Sequence, residues 1–206
     1  MAEPTAMIES LLGRGVAAAS QAIAKWLERP AAITVQRIER LPLAAAADAL
    51  GTADVPLCVC AMAFRGGLEG VLLLACDDAA GLTLCDLLLG QPVGTSGDWN
   101  ELARSAFAET ANIVGCAYLN AIAVAAGPVA APGGIEPGPP WFVRDYPVAV
   151  MDSVLLEQAL ADATVLLART EFRIDDTPIR CGLVVVPRLP ADAAGDEGRG
   201  SAPGRP

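Results

Sequence analysis

Ser105-Ala-Phe-Ala-Glu109-Thr-Ala-Asn112-Ile-Val-Gly115 is the stretch on which the fold turns. Read as a helix, it places Ser105, Glu109 and Asn112 at i, i+4 and i+7, on one narrow stripe. Around them stand Leu102, Ala106, Phe107, Ala108, Ile113, Val114, Ala117 and Tyr118, the makings of a core helix. A carboxylate accepts hydrogen bonds or pairs with a cation, and a carboxamide can orient a water molecule. Thr5, Glu9, Leu12 and Gly15 stand 100 residues before Ser105, Glu109, Asn112 and Gly115, so a second helix near the start of the chain overlays the first.

Working outward, the overlay extends to whole halves. Apolar periodicity predicts a helix over 7–27, a strand near 33–38 ending at Pro42, and a short helix over 43–50. Strands over 55–64 and 68–76 flank Arg65-Gly66-Gly67, a hairpin signal, and a helix over 79–89 stops at Gly90. The second long helix starts after Gly97, with Asp98 as the expected N-cap and Glu101 completing a capping box. It is expected to end at Gly127-Pro128, before a Pro/Gly-rich connector over 132–140. A short helix over 148–160 and strands over 164–174 and 178–186, around Asp175-Asp176-Thr177, complete the second half.

The order helix, strand, helix, hairpin thus occurs twice. The expected fold is α/β of the α+β kind, a pseudo-two-fold repeat with one antiparallel sheet packed against two long helices. The expected domain is single, 1–189, with half-repeats 5–90 and 98–187. The Gly-, Pro- and charge-rich segment 190–206 is expected to be a disordered tail. Gly15 and Gly115 each cost about 1 kcal/mol in helix propensity, which predicts close helix packing at both.

Composition narrows the function classes. The chain has 206 residues, 53% of them hydrophobic, and a mean hydropathy of +0.45, much of it alanine. The run 113–131 contains Asn120 and is broken at Gly127-Pro128, short of the roughly 20 apolar residues that span a bilayer; no membrane insertion is expected. Glu3 and Glu9 with no early Lys or Arg do not read as a secretion signal, so a cytoplasmic location is expected. A net charge of −10 disfavours nucleic acid as a ligand. With no histidine at all, Ser-His and Cys-His nucleophile pairs and histidine metal sites are excluded. The six cysteines contain no CxxC pair and read as buried small hydrophobes. Trp26, Trp99 and Trp141 read as core or interface anchors.

The run Glu109-Thr-Ala-Asn112-Ile-Val-Gly115-Cys-Ala-Tyr118-Leu-Asn120-Ala121 resembles the active helix of the CheC family (CheC, CheX and FliY type), bacterial chemotaxis phosphatases acting on phosphorylated CheY. The family pattern is Asp or Ser, Glu four later, Asn three later, then a distant Pro. Ser105, Glu109 and Asn112 match its first three positions. Pro140, with the segment through Asp152, resembles the last, across a longer spacer. Leu41-Pro42-Leu43 and Asp86-Leu-Leu-Leu-Gly90 also resemble family sequence. The resemblance covers about residues 5–187.

That resemblance implies a phosphatase that stimulates hydrolysis of the aspartyl phosphate of a CheY-type response regulator. Asn112 would orient the attacking water, Glu109 would pair with the regulator's Lys, and Ser105 and Pro140 would serve docking. Thr5, Glu9 and Leu12 would be a degenerate first site, because Leu12 replaces the amide. No cofactor of its own is implied; Mg²⁺ is expected in the regulator. The same resemblance allows a non-catalytic adaptor or flagellar-switch-type module that binds the deamidase CheD or a response regulator.

Overall fold

Successive side chains of a strand point to opposite faces, and in the two strands around Gly66 both sets are apolar. The computed structural model describes residues 4–51, 53–130, 134–155 and 164–188. Strands β2 (Leu57–Gly66) and β3 (Glu69–Asp77) pair antiparallel, with Cys58 opposite Cys76 and Phe64 opposite Gly70. Cys58, Cys60, Met62, Leu72 and Leu74 face one side; Val59, Ala61, Val71, Leu73 and Ala75 face the other, and all are buried. A sheet apolar on both faces needs a helical layer on each.

The first layer is α1 (Pro4–Leu27) and α4 (Glu101–Ala130). Val16, Ala19 and Ile23 of α1 join Phe107, Ala111, Val114 and Tyr118 of α4 over Met62 and Leu72. The second layer is α2 (Leu43–Leu50) and α5 (Pro147–Leu155), which place Ala46, Ala47, Val150 and Met151 against Val59 and Leu73. The sequence reading anticipated the first layer only. Helix α3 (Asp78–Leu88) follows β3 and buries Leu84, Cys85 and Leu87 in the first core.

The remaining strands are β1 (Ala31–Pro42), β4 (Ile135–Pro137), β5 (Trp141–Asp145), β6 (Thr164–Ile174) and β7 (Thr177–Arg188). The order is β1-β6-β7-β3-β2, with β4 and β5 both paired to the outer edge of β2. Exchanging β1 with β5, β2 with β6 and β3 with β7 maps this order onto itself. The duplicated topology read from the chain is therefore present, with β3 and β7 meeting at its centre.

Three sequence expectations are corrected. Asn100, not Asp98, caps α4: its Oδ1 accepts from the Ala103 N–H at 2.9 Å. Trp99 is the reason, because burying its indole keeps the chain non-helical until Asn100. Helix α4 runs through Gly127-Pro128 to Ala130. Proline frees the carbonyl four residues earlier, and Val124 there is 83% exposed, so water can take that role. The Pro/Gly connector holds β4, with Gly67 N–H donating to Gly134 O at 2.9 Å, and β5 follows it. The last helix is seen over Pro147–Leu155; residues 156–160 of the expected helix and the segment 190–206 lie outside the described residues.

The two helical glycines serve different contacts. A Cβ on Gly15 would strike the ring of Tyr118 on α4, whereas one on Gly115 would strike the methyl end of Met62 in the sheet. Gly15 thus sets the approach of the two long helices, and Gly115 sets that of α4 to the sheet. Tyr118 is fully buried and cannot swing away. Gly15→Ala is expected to destabilise the protein by about 1–3 kcal/mol despite its better helix propensity. Gly115→Ala is expected to cost less, because a Met side chain adapts. Denaturant melts of both variants check the order.

Candidate functional site

The first turns of α4 are anchored from below. Asp77 caps α3 through the Ala80 N–H at 2.7 Å. The next residue, Asp78, accepts from Trp99 Nε1 at 2.8 Å and from Arg144 Nε at 2.9 Å. Those bonds, Arg144's first, hold the Asp78 carboxyl below its ordinary value, against the opposing effect of burial. The Trp99 ring lies 5.4 Å from Phe107 and 4.8 Å from Phe142, centre to centre. Arg104 closes the cluster, donating to Trp99 O at 2.9 Å and standing 5.6 Å over the Phe142 ring.

Asp86 fixes the loop that leads into this helix. It is fully buried, and its carboxylate accepts from the backbone N–H groups of Gly94, Thr95 and Ser96 at 2.7, 2.9 and 2.8 Å. Burial pushes its carboxyl up, but the bonds from Ser96, Gly94 and Thr95 push harder, so it stays below the usual carboxylate value. Asp86 carried no assigned role in the sequence reading. Its signal was an acid inside an otherwise apolar helix, a position that needs a partner.

On this foundation the outer face of α4 presents the expected stripe. Ser105 and Glu109 are exposed, and among the described residues neither has a hydrogen-bond or ion-pair partner. Asn112 is half-buried, and its Oδ1 accepts from the Cys116 thiol at 3.4 Å. Thr110, between them in sequence, points inward, with its hydroxyl donating to Ala106 O at 2.9 Å. The acid and the amide therefore stand on open surface. Burial first, then the charge of Glu109, pushes the Cys116 thiol above its ordinary value.

Pro140 is half-buried just before β5. The pairing of Trp141 with Ala61 and the 6.1 Å contact of Phe142 with Phe107 bring its segment beside the early turns of α4. Thr5, Glu9 and Leu12 fall in α1, with side chains outside the described residues. Among the tryptophans, Trp99 is core, while Trp26 and Trp141 are 40% and 37% exposed. Five of the six cysteines are buried, and Cys116 is half-buried. Among the described residues no group of three or more Cys, Asp or Glu side chains is placed to hold a metal ion. A cavity of about 330 Å³ opens beside the C-terminal end of α2, lined by residues such as Leu50, Arg169 and Arg180; none of Ser105, Glu109, Asn112 or Pro140 lines it. The stripe suits contact with another macromolecule rather than enclosure of a small substrate.

By length and composition α4 is the one helix among the described residues able to cross a membrane, over Glu101–Val124. Its inner face is packed on the sheet and α1, and its outer face carries Glu101, Arg104, Glu109 and Asn120.

Compared with protein-family models and with curated proteins, the sequence has no match. Solved structures do resemble it. FliY from Thermotoga maritima superposes with a TM-score of 0.70 at 18% identity, covering 90% of both chains. This is the fold of the CheC, CheX and FliY group. A FliG–FliM complex from H. pylori gives a TM-score of 0.62 at 8% identity, over 90% of this chain and 94% of that one. CheX from Desulfovibrio desulfuricans gives 0.50 at 8% identity, over 85% and 99%. Likeness at such identities establishes the fold alone.

Proposed function

We propose that this protein is a cytoplasmic phosphatase of a CheY-type response regulator, accelerating hydrolysis of its aspartyl phosphate. The observation that carries this reading is the open placement of Glu109 and Asn112 on one stripe of a rigidly anchored helix. An aspartyl phosphate hydrolyses by in-line attack of water, so catalysis is largely positioning and charge stabilisation. Asn112 enters the regulator's phosphorylation site and orients the water through its carboxamide. Glu109 pairs with the regulator's Lys and sets the docking register. Ser105 hydrogen-bonds at the docked rim, and the Pro140 segment borders it. The regulator supplies the phosphoryl group and Mg²⁺; this chain forms no covalent intermediate.

The test is the decay of a phosphorylated CheY-type regulator with and without the protein. Faster decay is the expected result; unchanged decay at saturating protein overturns the reading. Leu12 supplies no amide to the first half, so Glu9→Ala is expected to leave the rate within about twofold of wild type, far below the 10- to 100-fold scale of an oriented catalytic group. A large loss in that variant would assign the first half a share of the activity.

A second reading has its own support. The FliG–FliM complex superposes with a TM-score of 0.62, against 0.50 for CheX. That likeness supports a flagellar-switch-type or adaptor module that binds a regulator or CheD without catalysis. Tight binding of the phosphorylated regulator with unchanged decay is the result this reading expects.

A further inference from the structure

Cys116 stands one helical turn beyond Asn112 on the same face of α4, half-buried, with its sulfur 3.4 Å from Asn112 Oδ1. An asparagine on a helix surface turns freely about its last torsion, because that rotamer well is broad. A freely turning amide presents its oxygen and its NH₂ to a partner in all orientations, which wastes most encounters. A thiol is a donor to oxygen, so its proton selects the carboxamide oxygen and points the NH₂ elsewhere.

We propose that Cys116 is a positioning residue for Asn112, its thiol holding one lone pair of the carboxamide oxygen. The second lone pair and the two N–H bonds are left for the docked regulator and its water. The catalytic consequence rests on the phosphatase reading; the restraint on the amide does not. Burial and the nearby Glu109 charge favour the protonated thiol, so the donor is present at neutral pH. Glu109 therefore acts twice on this face, outward on the regulator and inward on the sulfur that restrains the amide.

The experiment compares the full-length wild type with Cys116→Ala, Cys116→Ser, Asn112→Ala and the double variant Cys116→Ala/Asn112→Ala. One readout is the NMR order parameter of the Asn112 side-chain NH₂ in the free protein. The other is the rate of regulator dephosphorylation at saturating and sub-saturating protein. Cys116→Ala is expected to lower the order parameter and to cut the saturating rate about 2- to 5-fold, the scale of one weak hydrogen bond. The half-saturating concentration should hold, and Cys116→Ser should restore both readouts. Cys116→Ala should add nothing once Asn112 is Ala, which a purely structural role would not produce. An amide equally ordered with and without the thiol overturns the proposal. So does a rate loss that persists undiminished in the Asn112→Ala background. If Asn112→Ala dephosphorylates the regulator as fast as wild type, the catalytic role of Asn112 falls alone, and the order parameter still decides the restraint.

Discussion

Asn112→Ala is expected to slow stimulated dephosphorylation of the regulator about 100-fold, roughly 2.7 kcal/mol of barrier. The size follows from what the carboxamide does. Without it, water in the docked complex samples orientations that do not lead to in-line attack, and nothing else on the stripe is an amide within reach. Asn120 is exposed two turns further along α4, too far to substitute. Docking should survive, because Glu109 and Ser105 remain, so the loss should fall on the saturating rate. The variant should also fold, because Asn112 lies half-buried in α4 and alanine is a better helix former. Decay of phosphorylated regulator followed at several protein concentrations checks this. Equal rates for wild type and variant would remove Asn112 from the chemistry.

Asp86→Ala carries the largest expected loss of stability, about 3 kcal/mol or more. It leaves three backbone N–H groups, of Gly94, Thr95 and Ser96, without their acceptor beside the buried Asp86 position, and each such orphan costs about 1–3 kcal/mol where water cannot replace the carboxylate. Partial rehydration of the loosened loop keeps the total near the lower bound. For a chain of this length the melting temperature should fall by about 6–12 °C. The pH dependence has a defined sign. Asp86 is held below its ordinary value, so it contributes stability above the unfolded-state value of about 4, and that contribution is lost as pH falls through the folded value. The gap in melting temperature between wild type and Asp86→Ala should therefore be full at pH 7 and narrow below about pH 4. A gap that is constant with pH, or absent at neutral pH, would show that the carboxylate does not hold the loop.

Much of this was readable in the chain because two periodicities survive in it. The helices over 43–50 and 79–89 and both hairpins were legible, since apolar spacing and Gly or Asp turn residues mark them independently. The stripe was legible because Ser105, Glu109 and Asn112 break an apolar pattern that packing otherwise explains. The start of α4 was misread because Asp98 and Asn100 are both good caps; the choice between them depends on where Trp99 is buried, which no local rule encodes. Strands β4 and β5 were missed because they are short, contain or follow prolines, and exist only through pairing with β2. The Asp86 cradle was missed because it depends on where the Gly94–Ser96 backbone folds back; the Cys116 contact is an i,i+4 pair within α4, local in sequence but set by the rotamers of both side chains.

The strand order bears on how such a chain can be divided. Strand β1 lies against β6, and β4 and β5 lie against β2, so each half lends strand to the hairpin of the other. Cutting between Gly90 and Gly97 would not yield two independent proteins. Each fragment would keep a hairpin with both borders bare, a template for uncontrolled pairing, and each would lack the neighbour that closes its sheet. The fragments can become globular only by embracing one another, so the linker joins halves that already require each other's company.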